Sequence, residues 1–341
     1  MRYKFIDALR GLAVLLMVIN HTGRWWLASG NPFGYEIIYF TVTLSAPIFL
    51  FLVGFCLSLS FDRAKQVKKL PDRKIILKYI SHGLLVIALG YIFNLLVFSE
   101  DSILRGKVLQ TIGISIILSI PFLYFVSGKY SRIIVLSLAG FIYFSFGALR
   151  GVFQLVIASH PLLAYFFFSS FTLVPFFSFV LLGLVLGKIF IARAQNPERL
   201  AKFWAVVATL GISGLVMTWL IHTLVLPGQW LSFYNDYVFN GYWVPNYITF
   251  FWIVGMIFVL LSLTYYALAI KGRQWQWLAT LGQTALILYF VHHLVALVLI
   301  SQLWGWTTGS MIIYIIANII LVVALVLFGR LWQRFKIIIR N

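Results

Sequence analysis

FIDALRGLAVLLMVINH, residues 5 to 21, is apolar enough to sit in a bilayer, yet it carries Asp7, Arg10 and His21. Arg10 and His21 are eleven helical steps apart. At about 100° per step the helix returns to within roughly 20° of its starting direction, so the two side chains share one face, about 16 Å apart along the axis. An ionisable group in hydrocarbon is costly and marks a functional site by default. Two of them aligned on one helix, with Asp7 a turn before the arginine, read as the wall of an internal polar path.

The residues around this stretch make lipid its solvent. Hydrophobic residues are 62% of the 341 and charged residues only 10%, and apolar runs near the ~20 residues needed to cross a bilayer recur from end to end. The pattern predicts an all-α polytopic membrane protein, a single domain over residues 1–341, with ten spans around a central polar cavity. The spans expected are 5–27, 37–60, 76–97, 107–127, 133–149, 171–187, 203–226, 247–270, 278–300 and 309–329. The charge-free stretch from Gly151 to Gly187 is too long for one helix and contains His160-Pro161. It reads as a re-entrant or interfacial piece followed by one span.

A formal charge of +18 raises nucleic acid as a partner, and the placement of the charge argues against it. Of the 26 Lys and Arg, four lie in odd-numbered connections (Arg24, Arg105, Lys107, Arg150), one is Arg10, and 21 fall at the termini and in even-numbered connections. The positive-inside rule then places both termini, the DRAKQVKKLPDRK loop (62–74) and the ARAQNPER loop (192–199) in the cytoplasm. The localisation expected is a cell membrane, the inner membrane if the source is bacterial. A basic start followed by an apolar run also resembles a signal peptide, but Asp7 and Arg10 interrupt it, so an uncleaved first span is expected. Cys56 is the only cysteine, which excludes an internal disulfide and a thiolate zinc site. No Gly-rich phosphate loop, HExxH or GxSxG occurs, and no metal is expected.

With the chain entering from the cytoplasm, Arg10 lies roughly 8 Å into the membrane and His21 roughly 24 Å. A guanidinium grips phosphate or carboxylate in a planar fork, and an imidazole exchanges a proton near neutral pH. One helix face thus offers an anion clamp near the cytoplasm and a proton-transfer group on the far side. That suits a long anionic donor whose reactive end meets an acceptor deep in the membrane. The bland alternatives are an arginine that snorkels to headgroups or only pairs with Asp7, and an interfacial histidine bonded to a loop carbonyl.

The stretch FIDALRGLAVLLMVINH resembles the opening of the membrane-bound acyltransferase 3 family, in which an arginine, ten residues and a histidine occupy the first transmembrane helix. APIFLFLVGFCLSLS (46–60), RKIILKYISHGLLVIALGYIFN (73–94), RGKVLQTIGIS (105–115), FTLVPFFSFVLLGLVLGK (171–188) and LGQTALILYFVHHLV (281–295) are similar to the same superfamily. Several of them lean toward its branch related to heparan-alpha-glucosaminide N-acetyltransferase. Val53 departs from the acyltransferase 3 pattern, which has a serine before the glycine matching Gly54. The resemblance implies a protein of ten or eleven membrane helices that moves an acyl group, usually acetyl, from cytosolic acyl-CoA to a carbohydrate hydroxyl or amine. It implies that His21 is catalytic, that Arg10, oriented by Asp7, supports the donor, and that His292 in YFVHH lines the cavity.

Other polar residues are weaker candidates. His82 could approach the cytoplasmic part of the cavity or sit at headgroup level. His292 and His293 lie near the middle of the ninth span, where a structural hydrogen bond to another helix is the competing reading. Arg105, Lys107 and Gln110 open the fourth span from outside and could meet an acceptor's hydroxyls or simply anchor the interface. The outer loop 226–246 carries Trp230 and Tyr234 among seven aromatic residues around Asp236, which suits a sugar ring or an aromatic belt. The function expected is O-acetylation of a saccharide or similar polyol, with His21 as general base; a route through an acylated histidine is also open. The expected partners are acetyl-CoA, a carbohydrate or lipid-linked glycan, and membrane lipid, with homodimerisation left open. The rival is a transporter or flippase for an anionic or lipid-linked substrate, which would also need charges inside the membrane.

Overall fold

The computed structural model describes residues 3–28, 32–98, 105–160, 164, 171–225 and 247–340. Ten helices there are long and apolar enough to span a bilayer: Lys4–Trp26, Leu44–Val67, Asp72–Val97, Val108–Phe125, Lys129–Leu149, Leu173–Arg193, Pro197–Leu220, Thr249–Ile270, Ala285–Leu303 and Met311–Lys336. Each overlaps one expected span. Among the described residues, extended pairing is confined to one isolated bridge between Leu27 and Thr308, so the all-α, multi-pass class holds. We label the helices α1 (Lys4–Trp26), α2 (Pro32–Asp62), α3 (Asp72–Val97), α4 (Val108–Phe125), α5 (Lys129–Ser159), α6 (Leu173–Arg193), α7 (Pro197–Leu220), α8 (Tyr247–Tyr265), α9 (Gln276–Gln283), α10 (Ala285–His293) and α11 (Met311–Arg340).

Two expectations are corrected. α5 runs ten residues past its expected end at 149 and stops at Ser159, so the piece read as re-entrant or interfacial begins as a continuation of that helix. Nothing before His160-Pro161 breaks the helix, whereas the proline lacks an N–H and disfavours helical geometry in the residue before it. The ninth span is also divided. Thr284, at φ −110° and ψ 13°, separates α9 from α10, and beyond His293 the helix continues in wide π geometry over Leu294–Leu303.

The chain forms two compact units, Met1–Ile48 with Met256–Asn341, and Phe49–Gly255. In the first unit α1 is the central rod, with Ala8, Leu9, Ala13 and Val14 fully buried. Its crossing with α9 depends on two glycines. A Cβ on Gly11 would overlap the carbonyl of Leu278, and one on Gly282 the carbonyl of Asp7. Backbones this close need small residues, the usual device for packing helices where lipid removes the hydrophobic driving force. At its other end α1 is tied by hydrogen bonds. Trp26 Nε1 donates to Ala296 O (2.9 Å), Thr308 N donates to Trp26 O (2.7 Å), and Ala28 N donates to Thr308 O (3.0 Å). Thr22 donates to Asn318 Oδ1 of α11 at 2.7 Å, and Tyr314 OH donates to Ile19 O at 2.9 Å. The opposite face of α11 exposes Ile312, Ile316, Ile319, Ile320 and Val323, a stripe that lipid covers.

The second unit repeats the glycine device. Gly54 of α2 lies against the backbone of Val180 in α6, Gly183 of α6 against Phe51, and Gly83 of α3 against Gly113 of α4. Helix starts follow their sequence signals. Asn196 accepts from Arg199 N–H (3.0 Å), with Pro197 in the first turn of α7. At one end of this unit Tyr124 OH donates to Asp72 (2.9 Å), which also pairs with Lys65. The end of α4, the start of α3 and the basic loop therefore share one side, as alternating spans require.

Candidate functional site

Two polar arrays lie along α1 in the first unit. The one toward the C-terminal end of α1 contains three imidazoles. His21 Nδ1 and His292 Nε2 are 2.9 Å apart, and their rings are parallel within 5° with centroids 5.2 Å apart. A nitrogen separation that short at that centroid distance means the rings meet edge to edge. His292 Nδ1 lies 2.7 Å from the carbonyl of Leu288, one turn back on its own helix. A carbonyl only accepts, so Nδ1 of His292 carries the proton and Nε2 its lone pair. His21 must then donate through Nδ1, which leaves the lone pair of His21 on Nε2. The tautomers are thus fixed from a backbone carbonyl outward.

The surroundings hold this geometry. His292 is fully buried and His293 is 2% exposed, while His21 is half-buried; the outermost imidazole of the chain is the one within reach of solvent or substrate. Trp25 stacks on His21 at 5.1 Å. His293 Nδ1 donates to Tyr289 O at 2.8 Å, and its ring centroid lies 4.5 Å from that of His21. Each of the three histidines presents one ring nitrogen within 4.8 Å of the others, so this cluster is where a transition-metal ion would find imidazole ligands.

The array toward the start of α1 begins at Arg10, whose Nη1 lies 3.3 Å from Asp7 Oδ1, with the arginine side chain 27% exposed and the carboxylate 7%. Gln283 Nε2 donates to Asp7 Oδ2 (3.1 Å), and Gln333 Nε2 donates to Gln283 Oε1 (2.9 Å). A carboxylate accepts only, so it dictates which end of the Gln283 amide faces it, and that end dictates the bond to Gln333. One acid on α1 thereby orients an arginine on the same helix and a chain of amides across α9 and α11.

The structure brings Asp7, Arg10, His21 and His292 together in one unit. His82, Arg105 and Gln110 belong to the other. His82 and Arg105 are exposed there. Gln110 is fully buried against Gly90, and its Oε1 accepts from Lys107 N–H (3.1 Å) at the start of α4. Trp230 and Tyr234 lie outside the described residues. Sequence reading did not single out Gln283, Gln333, Trp25 or the Thr22–Asn318 pair, and it gave His293 no role. The available signal was a polar uncharged side chain inside an apolar run, as at Gln283 in LGQTALILYF and Asn318 in IIANIILVV.

No curated protein matches the chain. The family model described as heparan-alpha-glucosaminide N-acetyltransferase, catalytic, matches residues 2–224, a stretch that includes α1 with Asp7, Arg10 and His21 and ends before the helices that supply Gln283 and His292. On a match of this extent, and with ten helices able to cross a bilayer, the chain belongs to the catalytic family of heparan-alpha-glucosaminide N-acetyltransferase as a multi-pass membrane protein of an acetyltransferase-like family.

Proposed function

We propose that this protein transfers an acyl group, acetyl in the first instance, from cytosolic acyl-CoA to a carbohydrate hydroxyl or amine at or across the membrane. The single observation that carries the reading is the directed hydrogen-bond chain from Leu288 O through His292 to His21. It presents a basic nitrogen, His21 Nε2, on the same helix as a carboxylate-oriented arginine.

In the proposed step the acceptor's O–H or N–H gives its proton to His21 Nε2 as the acceptor atom attacks the thioester carbonyl. The C–S bond breaks, CoA leaves as the thiolate, and the imidazolium returns the proton to it. While His21 is charged, its Nδ1–H donates to His292 Nε2, which spreads the charge into a buried pair. General base catalysis of this kind contributes about 10²- to 10⁴-fold. Arg10, held by Asp7, supplies positive charge on the cytoplasmic side for the phosphorylated donor. Both termini face the cytoplasm in this reading; in the second unit the basic loop shares one side with the end of α4 and the start of α3, as it requires.

The test is direct. Purified protein in lipid nanodiscs is given acetyl-CoA labelled in the acetyl group and a panel of glycans with free hydroxyl or amino groups. Label appearing in a glycan, and lost with His21→Ala, supports the reading. Turnover unchanged in that variant, or movement of an intact labelled glycan across the membrane with no acetylation, would overturn it.

A further inference from the structure

The end of the first unit at which α1 begins holds a cleft of about 300 Å³. Its lining includes Lys4, Arg273, Gln274, Trp275, Gln276, Gln283 and Gln333, and no carboxylate is among the residues that line it. Lys4 starts α1, Arg273 to Gln276 connect α8 to α9, and Gln333 belongs to the last turns of α11. Elements remote in sequence therefore converge on it.

We infer that this cleft binds the adenosine-phosphate end of the acyl donor. The inference rests on the acyl-CoA reading above and assigns a residue set for that donor. Three features of the lining favour a nucleotide over a simple anion. Two exposed cations without a competing acid suit phosphate groups, one as a mobile point charge and one as a planar fork. Trp275, 37% exposed, offers an aromatic face, and base-on-aromatic stacking tolerates any nucleobase. Side-chain amides pair with the donor–acceptor edge of adenine, and Gln274 and Gln276 already stand 3.1 Å apart beside the tryptophan. The cleft also falls in the size range of small-molecule sites.

Its position is suited to the reaction. Gln283 is shared: it lines the cleft and donates to Asp7, which orients Arg10. Along α1, which is unbroken, Asp7 and His21 are fourteen residues apart, about 21 Å at the helical rise, and that is the direction in which a pantetheine arm leads from the cleft to the imidazoles. A phosphate held in the cleft therefore leaves the thioester pointing along α1 toward His21.

The same cations could be met by anionic lipid headgroups, which share the phosphate but lack the base. Titration calorimetry with adenosine 3′,5′-bisphosphate, a fragment without thioester or pantetheine, separates the two. In nanodiscs of neutral lipid the wild-type protein binds the bisphosphate. Lys4→Gln and Arg273→Gln each weaken it about tenfold, the scale of one lost charge-assisted contact. Trp275→Ala weakens the bisphosphate but leaves inorganic pyrophosphate unchanged. All three side chains are at the surface, so thermal stability stays near wild type. Wild-type affinity in both cation variants overturns the proposal. So does equal binding of pyrophosphate and bisphosphate that anionic lipid abolishes, which would make the cleft a headgroup site. If the bisphosphate binds and the variants lose it while wild type transfers no acetyl group from acetyl-CoA, the nucleotide cleft stands and the acyl-transfer reading falls.

Discussion

His292 accepts a hydrogen bond from His21 at 2.9 Å across 271 residues of sequence, joining the first transmembrane helix to the ninth span edge to edge. The bond is directional because His292 spends its own N–H on Leu288 O. In the proposed reaction His292 is therefore a positioning residue: it fixes which nitrogen of His21 is basic and shares the charge that His21 would acquire.

The consequence for kinetics separates the two histidines. His21→Ala should lower kcat by 10²- to 10⁴-fold, the contribution expected of a general base. His292→Ala should lower kcat about tenfold or more with KM nearly unchanged, since it acts on the transition state through His21. His292→Gln, whose carbonyl oxygen can accept from His21 Nδ1–H, should recover part of that loss. A fall confined to KM, or no rescue by glutamine, would remove the positioning role.

Gly11 and Gly282 predict a stability defect without a chemical one. Alanine at either position would place a Cβ inside the facing backbone, and backbone cannot rotate away as a side chain can. Overpacking of this kind costs roughly 1 to 3 kcal/mol, occasionally more. The expected outcome is a clear fall in Tm in detergent for Gly11→Ala or Gly282→Ala. By contrast Gly140→Ala, where an added Cβ meets nothing within 4 Å, should leave Tm unchanged or slightly raised. Equal Tm values for all three would refute the tight crossing.

These helices also show what a sequence can disclose. Each transmembrane helix was legible because hydrocarbon demands about 20 apolar residues per crossing, and Asp7, Arg10 and His21 were legible because charge there is rare. The extension of α5 to Ser159 was missed because Arg150 and Gly151 read as the end of a span, whereas the helix runs through both. The break at Thr284 was missed for the opposite reason: a threonine is unremarkable in a membrane helix, and here it turns its hydroxyl back to Thr280 O at 2.7 Å. Spacing within one helix put Arg10 and His21 on one face. No spacing rule could bring His292 to His21 or Gln283 to Asp7, since those contacts depend on how α1 packs against α9 and α10. Nor could it assign His82, Arg105 and Gln110 to a different unit.

The topology is open to chemical labelling. With 21 of 26 basic residues at the termini and even connections, a tag after Asn341 and a cysteine introduced as Lys69→Cys in a Cys56→Ser background should react only after the membrane is opened. Lys69 is exposed and sits at a positive φ of 48° in the loop before α3. Labelling of either site by an impermeant maleimide or protease in intact cells would reverse the orientation and with it the donor-side role of Arg10.

The imidazole cluster invites a test by chelation. His21 and His292 already engage each other, with the proton order set by Leu288 O, and a proton-transfer role requires the His21 Nε2 lone pair to remain available. Acetyl transfer should therefore survive dialysis against a strong chelator with no loss, and added zinc should inhibit by occupying ring nitrogens that lie within 4.8 Å of one another. Loss of turnover on chelation, restored by a divalent ion, would replace the general base with a metal centre.

Arg10 offers the sharpest test of how the array around Asp7 works. Its guanidinium lies 3.3 Å from a carboxylate that is nearly buried, and that carboxylate is also held by Gln283. Arg10→Lys keeps the charge but loses the planar fork. If Arg10 reads phosphate, the apparent affinity for acetyl-CoA should fall about tenfold, the equivalent of one charge-assisted hydrogen bond. The affinity for acetyl-pantetheine, which lacks the nucleotide and its phosphates, should hardly move. Asp7→Asn should behave differently, because it leaves a partly buried guanidinium without its counter-charge and disturbs the Gln283 amide. It should lower Tm and impair both donors alike. Equal losses with both donors for Arg10→Lys would mean that the arginine holds the bundle together through Asp7 and does not read the donor.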